Sequence, residues 1–299
     1  MSQISRREFI GAAAIGASVA GALWQPRSAL AQERKGAEIR FGLVTYQWGK
    51  DWDLPTLIAN CAAAGTLGVE LRTTHKHGVE PSLNEAERTD VRKRFANSEV
   101  KCVGIGSNER YDSPDPEVVK KAIEATKAFI VLSHDVGGSG VKVKPDSFHD
   151  GVVAREKTIE QIGKSLNEVA EFATGFGQQI RLEVHGQCCQ LPTIKAIMDV
   201  ADNPNVAVCW NSNPQDLEKP GLEHNFNLVK TRFGDTVHIH RLESKAYPHQ
   251  ELLDLYVKLD YSGWLMLEEG EVPKDPAAEL LAQRKLFDTM LEASRAKFG

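Results

Sequence analysis

Cysteine is scarce in this chain, and its spacing supports no disulfide, zinc or redox motif. Five cysteines occur in 299 residues, two of them are adjacent (Cys188 and Cys189), and no C-x-x-C pair is present. An odd number with an adjacent pair makes a poor disulfide framework, and the missing C-x-x-C pair removes the usual basis for a structural zinc site or a redox motif. We therefore predict that most of the cysteines are small apolar packing residues.

An excess of positive charge is also lacking. The chain has 36 basic and 41 acidic residues, a formal net charge of −5, and no run of basic residues. This balance argues against nucleic acid and anionic membrane surfaces as partners. Beyond residue 40 no long apolar run is present, so we expect no further membrane segment.

The first residues read as an export signal. Paired arginines in "SRREFIG" (5–11) precede an Ala/Gly-rich apolar run (12–23), and "SALAQ" (28–32) has the small residues that signal peptidases cut. The run is too short and too poor in leucine and isoleucine for a membrane-spanning helix. We predict a twin-arginine signal over 1–31 and a periplasmic mature protein over 32–299.

Short apolar runs alternate with segments of helical period, such as 117–132 and 158–174. This alternation predicts a single-domain α/β fold, a (β/α)8 TIM barrel. The alternative is an open doubly wound sheet, but no glycine fingerprint follows the first strand. The eight predicted strands cover residues 39–46, 68–74, 100–107, 140–145, 180–186, 206–212, 237–242 and 263–269.

Polar side chains collect at the carboxyl ends of these predicted strands, where barrel enzymes hold their active sites. Glutamates and a histidine from strands five, seven and eight suit a divalent cation such as Mn²⁺, Mg²⁺, Co²⁺ or Zn²⁺. Such an ion polarises a carbonyl, and flanking carboxylates can exchange the proton on the adjacent carbon. The pattern therefore favours a polyhydroxy carbonyl compound, a sugar or keto-sugar, as the small-molecule partner.

The motifs "RLEVHG", "VCWNSNPQDL", "VHIHRL" and "DYSGWLMLEEG" resemble those of strands five to eight in the xylose-isomerase-like barrel superfamily of sugar isomerases and epimerases. The resemblance covers about residues 39 to 290. It implies that Glu183 and Glu268 bind the metal and serve as catalytic carboxylates, with Asn211 and His238 completing the metal site. Asn211 stands where many members have aspartate, which should weaken metal affinity, and Arg241 replaces the aspartate of an H-x-[KN]-D motif.

Two of these assignments have close competitors in the sequence, because Glu269 adjoins Glu268 and His240 shares a face with His238. Other residues near the strand ends are candidates for substrate binding, although the aromatic ones could equally be packing residues and the histidines structural. These candidates are Tyr46, Trp48, Arg72, His75, Lys142, His185, Asn213, His240 and Arg241.

Three functions are compatible with this pattern. The favoured one is a metal-dependent sugar isomerase or epimerase that works by proton abstraction next to a carbonyl, through an enediolate. A second is a lyase or hydratase that acts on a 3-keto-glycoside with the same base. A third is a non-catalytic periplasmic sugar-binding protein. The acidic charge, the small number of histidine ligands and the predicted export argue against the endonuclease activity found in the same superfamily.

Overall fold

Eight parallel strands form the sheet of this protein in a computed structural model that describes residues 35–299. The predicted export signal, residues 1–31, lies outside the described residues. All eight predicted strands are confirmed. They are β1 (Ile39–Val44), β2 (Gly68–Arg72), β3 (Lys101–Arg110), β4 (Gly140–Lys144), β5 (Gln179–Glu183), β6 (Val206–Cys209), β7 (Thr236–Ile239) and β8 (Gly263–Leu267).

The strands are hydrogen-bonded in the order β6-β5-β4-β3-β2-β1-β8-β7. Single bridges from Val208 to Phe233 and from Asn211 to His238 join β6 to β7 and close the ring. The fold is therefore a single-domain (β/α)8 barrel, as predicted.

Eight α-helices alternate with the strands in the described part of the chain, and two of them contain the predicted segments 117–132 and 158–174. Several begin at an aspartate or asparagine whose side chain accepts a hydrogen bond from a backbone N–H of the first turn, as Asp53 and Asn84 do. The helices are α1 (Leu54–Ala63), α2 (Glu85–Ala96), α3 (Pro116–Val136), α4 (Arg155–Thr174), α5 (Leu191–Val200), α6 (Leu222–Val229), α7 (His249–Leu259) and α8 (Pro276–Phe298).

Most of the predicted strands extend too far at their carboxyl ends. β5 ends at Glu183, β6 at Cys209 and β7 at Ile239, each three residues before the predicted end. After β5 the chain turns at Gly186, which has a φ of +68°. After β6 the backbone N–H of Asn213 donates to Oδ2 of Asp216 at 2.9 Å, at the start of a short 3₁₀ turn over Pro214–Leu217. Several predicted site residues therefore lie in loops that follow strands.

Large side chains fill the amino-terminal half of the barrel interior, and glycines on neighbouring strands make room for them. A Cβ atom on Gly68 would lie 2.5 Å from Cζ3 of Trp264, and one on Gly104 would lie 2.9 Å from a guanidinium nitrogen of Arg181. Trp264 packs with Met266 in a small apolar cluster inside the ring, whereas the main core lies between sheet and helices. Polar groups occupy the other half of the interior.

All five cysteines are buried and free, which confirms their prediction as packing residues. Among residues 35–299, no helix is long and apolar enough to cross a membrane.

Candidate active site

Three acid and imidazole groups meet inside the carboxyl end of the barrel. Glu183 is the last residue of β5, His238 lies within β7, and Glu268 follows β8 directly. One ligand atom from each lies within 4.8 Å of the others, and all three side chains are buried. Buried carboxylates are costly unless they are paired, so the partners of this trio define the chemistry of the site.

Asn211 joins the two carboxylates. Its Nδ2 donates hydrogen bonds to Oε1 of Glu183 at 3.0 Å and to Oε2 of Glu268 at 3.3 Å. Its Oδ1 is buried without a hydrogen-bond partner among the described residues. An unpaired buried amide oxygen beside two carboxylates is a free acceptor in a position that suits a cation.

Glu70, on β2, fixes the orientation of His238 and was missed by the sequence reasoning. Its Oε1 lies 3.1 Å from Nε2 of His238, whereas Nδ1 of that ring lies 3.2 Å from Glu268 and 3.6 Å from Glu183. A carboxylate on the far nitrogen of a histidine is the usual second partner of a metal-binding imidazole. Glu70 could have been found, because it is a lone acid in an apolar run, the same argument that singled out Glu183.

Lys142, on β4, is the main counter-charge of Glu183. Its Nζ lies 2.8 Å from Oε2 of Glu183, and both side chains are fully buried. Burial alone would raise the pKa of Glu183, but the ammonium of Lys142 and the ring of His238 more than offset it and hold this pKa well below its ordinary value. Burial would likewise lower the pKa of Lys142, but Glu183 and Glu268 raise it. Glu183 is therefore ionised.

The donor set fits a divalent cation. The pKa values of Glu183 and Glu268 are both lowered, which favours their carboxylate forms. These carboxylates, the amide oxygen of Asn211 and the Nδ1 of His238 are hard or borderline ligands of the kind that Mn²⁺, Mg²⁺, Co²⁺ and Zn²⁺ accept. Burial opposes charge on His238, but Cys209, Glu70 and Glu268 raise the pKa of its ring well above the ordinary value. An ion at Nδ1 would take the place of a proton there.

The sequence from residue 58 to residue 288 matches the family model described as the xylose isomerase-like TIM barrel. The chain belongs to this family. No curated protein matches the chain, so the family assignment rests on the family model.

Solved structures share the fold at low sequence identity. L-ribulose 3-epimerase has a TM-score of 0.73 at 18% identity, over 87% of this chain and 96% of its own. The 3-keto-D-glucoside 4-epimerase from E. coli has a TM-score of 0.70 at 13% identity, over 84% and 99%. The probable 3-DHS dehydratase from Bacillus anthracis has a TM-score of 0.63 at 15% identity, over 83% and 98%. All three are similar to this chain over nearly their whole length.

Three predicted substrate residues of this xylose isomerase-like barrel, Tyr46, Arg72 and His75, lie at or just after the carboxyl ends of β1 and β2. The guanidinium of Arg72 lies 5.1 Å from the ring centroid of Tyr46. His75 lies beside Thr45, and burial together with His77 and Arg72 lowers the pKa of its ring to about 4. Neutral imidazole and a cation over an aromatic ring suit a polyhydroxy ligand. The substrate-binding roles of Tyr46, Arg72 and His75 stay predictions.

Other predicted substrate residues have their polar atoms engaged by the protein itself. The indole of Trp48 is buried and donates to the carbonyl of Glu271 at 2.6 Å. The amide of Asn213 donates to the carbonyl of Val184 at 2.8 Å. Arg241 pairs with Glu243 and Glu279 at the rim. These contacts shape the mouth of the barrel, and direct substrate contact by these three residues stays a prediction.

The two close competitors separate in the structure. Glu268 belongs to the buried trio, whereas the carboxylate of Glu269 accepts backbone hydrogen bonds from Arg241 and Gly270. His238 lies in the trio, whereas Nδ1 of His240 lies 2.7 Å from the carbonyl oxygen of Glu268. The geometry therefore places Glu268 and His238 in the site, with His240 beside it.

Proposed function

We propose that this protein is a sugar epimerase or isomerase that moves a proton at the carbon next to a carbonyl. The observation that carries the proposal is the pair of buried carboxylates, Glu183 and Glu268, bridged by the amide of Asn211 at 3.0 and 3.3 Å. Two carboxylates at one substrate carbon can remove a proton and return one, which is the minimum requirement for epimerisation.

The buried side chains have different roles in the proposed reaction. Lys142 keeps Glu183 ionised, so that this carboxylate can accept a proton, and Glu70 holds the ring of His238 in one orientation. Glu183, Glu268, His238 and the Oδ1 of Asn211 would hold a divalent ion, whose chemistry is to polarise the carbonyl and stabilise the adjacent oxygen anion. The buried ammonium of Lys142 adds positive charge on the same side as Glu183.

The similar structures support a sugar as the substrate. L-ribulose 3-epimerase and 3-keto-D-glucoside 4-epimerase, by their names, change the configuration of one carbon in a keto-sugar. In both cases that carbon adjoins the carbonyl, where the C–H bond is acidic. A keto-sugar is thus the substrate class that the buried carboxylates suit best.

Solvent exchange tests the proposal. L-ribulose and methyl 3-keto-D-glucopyranoside are incubated with the protein and Mn²⁺ in D₂O, and deuterium next to the carbonyl is followed by NMR. We expect exchange with the carbon skeleton retained. Glu183→Gln should lower the exchange rate by about 10²- to 10⁴-fold, because it removes the base, whereas Glu271→Gln, at an exposed acid, should leave it unchanged.

Three outcomes contradict the proposal. Loss of the aglycone from the keto-glycoside would identify a lyase that begins with the same proton abstraction. Saturable binding of both sugars without any exchange would identify a sugar-binding protein. Full exchange activity in folded Glu183→Gln would remove the carboxylate from the mechanism.

We also propose that the protein is exported to the periplasm by the signal over residues 1–31. The paired arginines, the short apolar run and the small residues at 28–32 support this proposal.

A further inference from the structure

A second group of chemically active side chains lies beside the buried trio and has no part in the mechanism above. It comprises Lys144 at the end of β4, Asp146 two residues later and His185 just after β5, and it is called here the Lys144 cluster. Nδ1 of His185 lies 2.5 Å from Oδ1 of Asp146, and Nε2 of His185 lies 3.5 Å from Nζ of Lys144. The order is thus carboxylate, imidazole, amine.

The carboxylate of Asp146 defines the direction of one of these two hydrogen bonds. The carboxylate of Asp146 is an acceptor, so Nδ1 of His185 carries the hydrogen and donates it. Nε2 of the same ring faces Nζ of Lys144 at 3.5 Å, so the imidazole links the carboxylate to the amine. A nucleophile in contact with a base, which is itself oriented by a third group, is the arrangement that activates side chains for covalent catalysis.

The surroundings of Lys144 disfavour its charged ammonium form. Its side chain is buried, and within residues 35–299 no carboxylate lies within ion-pairing distance of its Nζ. Burial, the ammonium of Lys142 and the guanidinium of Arg72 lower the pKa of Lys144, against a weaker opposing effect of Glu183 and Glu268. Desolvation and a neighbouring cation are the two conditions that make a lysine nucleophilic near neutral pH.

The backbone around the cluster is constrained to hold Asp146 against His185. Asp146 has a φ of +54°, in the left-handed region that aspartate adopts more readily than most residues with a side chain. Gly186 has a φ of +68°, and a Cβ there would lie 2.8 Å from Cα of Asp146. Cys188 donates its backbone N–H to the carbonyl of Asp146 at 3.1 Å, and Arg110 pairs with its Oδ2 at 2.5 Å. These contacts hold the backbone that carries Asp146 beside His185.

We propose that Lys144 forms a Schiff base with the carbonyl carbon of a keto-sugar, with His185 as the group that orients its amine and Asp146 as a positioning residue. The inference rests on the proposed function, since it concerns the same substrate class and the same end of the barrel. It assigns to this chain a covalent step that a metal site alone does not include.

The step balances without an added reagent. The nitrogen of Lys144 adds to the carbonyl carbon, and one N–H proton passes to the former carbonyl oxygen to give a carbinolamine. The C–O bond then breaks, the oxygen leaves as water with the second N–H proton, and a C=N bond remains. An imine draws electrons from the adjacent C–H bond as a carbonyl does, and more strongly when it is protonated, so Glu183 could remove the same proton.

Reductive trapping tests this inference without turnover. The protein is incubated with methyl 3-keto-D-glucopyranoside and sodium cyanoborohydride in the presence of EDTA, and the adduct is located by peptide mass spectrometry. We expect one sugar per chain, on Lys144. Lys144→Arg keeps the positive charge but cannot form an imine, so the adduct should be lost at this peptide. Lys120→Met, at an exposed lysine of α3, should trap as wild type does.

Asp146→Asn separates a positioning role from a purely structural one. It should slow trapping at saturating sugar by about tenfold, while the melting temperature of the variant and its trapping by high concentrations of formaldehyde stay close to wild type.

Trapping of the wild type only at exposed lysines, or equal trapping of Lys144 in native and urea-unfolded protein, would overturn the inference. Deuterium exchange without trapping would overturn it and leave the proposed function standing. Trapping without deuterium exchange would support the Schiff base at Lys144 and contradict the proposed epimerase or isomerase activity.

Discussion

At the scale of single residues, Asn211 determines the charge of the site. Its Nδ2 faces both carboxylates, so in the described arrangement an amide and the ammonium of Lys142 satisfy Glu183 and Glu268. An aspartate at position 211 would put a third carboxylate against the other two. The ion-free protein would then carry uncompensated negative charge that a divalent cation relieves.

We therefore predict that Asn211→Asp binds Mn²⁺ at least about tenfold more tightly than wild type, a difference of about 1.4 kcal/mol. The dissociation constant is measured by isothermal titration calorimetry after treatment with EDTA. The melting temperature should fall without the ion and rise more than that of wild type when the ion is added. Equal affinities for wild type and variant would show that position 211 is not a ligand.

Asp216 is a buried acid outside the trio. Burial raises its pKa to about 8, although the hydroxyl of Tyr247 and the backbone N–H of Asn213 both donate to its Oδ2. The folded protein holds a proton on Asp216 between about pH 4 and pH 8 that the unfolded chain has lost. This contribution to stability is complete below pH 4 and is lost as the pH rises towards 8.

We predict that Asp216→Asn removes this pH dependence. Relative to wild type, the free energy of unfolding of the variant should rise by at most about 1.4 kcal/mol per pH unit between pH 5 and pH 8. Urea unfolding of both proteins across that range measures the difference, in which the other titrating groups cancel. A constant difference between the two proteins would mean that Asp216 is already ionised at pH 5.

Single residues also show how far the sequence could predict the site. Glu183 and Glu268 were recognisable because an acid in an apolar run needs a partner, and the family motifs pointed to the same positions. Glu70 is also an acid within an apolar run, but it lies in the second strand, where no metal ligand or ligand partner was expected. Asp146 could not be found, because it lies in a loop where aspartate is ordinary and only the positive φ and the contact with His185 distinguish it.

At the scale of elements, alternation of apolar runs with helical segments was enough to predict all eight strands, because each central strand of a barrel is buried on both faces. The carboxyl ends of the strands were harder to predict. Hydrophobic residues such as Val184 and Trp210 continue past β5 and β6, so the pattern extends although the ladder stops. Turn geometry at Gly186 and Asn213, and not apolarity, ends these strands.

The packing of Gly68 on β2 against Trp264 on β8 can be tested by substitution. We expect Gly68→Ala to lower the free energy of unfolding by about 1–3 kcal/mol, because the new methyl group would overlap the indole of Trp264 inside the barrel. Urea denaturation measures the loss. Gly270→Ala, where a Cβ meets nothing within 4 Å, is the control and should be nearly neutral. A neutral Gly68→Ala would mean that the indole can move aside.

At the scale of the whole molecule, the proposed export can be tested directly. Expressed in a bacterium with a twin-arginine pathway, the chain should appear in the periplasmic fraction with Gln32 as its first residue. The double variant Arg6→Lys, Arg7→Lys should stay in the cytoplasm at full length, because the pathway recognises the arginine pair. Processing of the variant at the wild-type rate would point to a different export route.

The closure of the barrel has a consequence for its dynamics. β6 and β7 meet through two single bridges, and one of these joins Asn211 to His238 across the seam. Few hydrogen bonds hold this side of the ring, so local opening of the native state should begin here, at a free energy below that of global unfolding. Any such opening separates two of the four predicted ligands. Local opening of the barrel between β6 and β7 and disruption of the predicted metal site are then the same event.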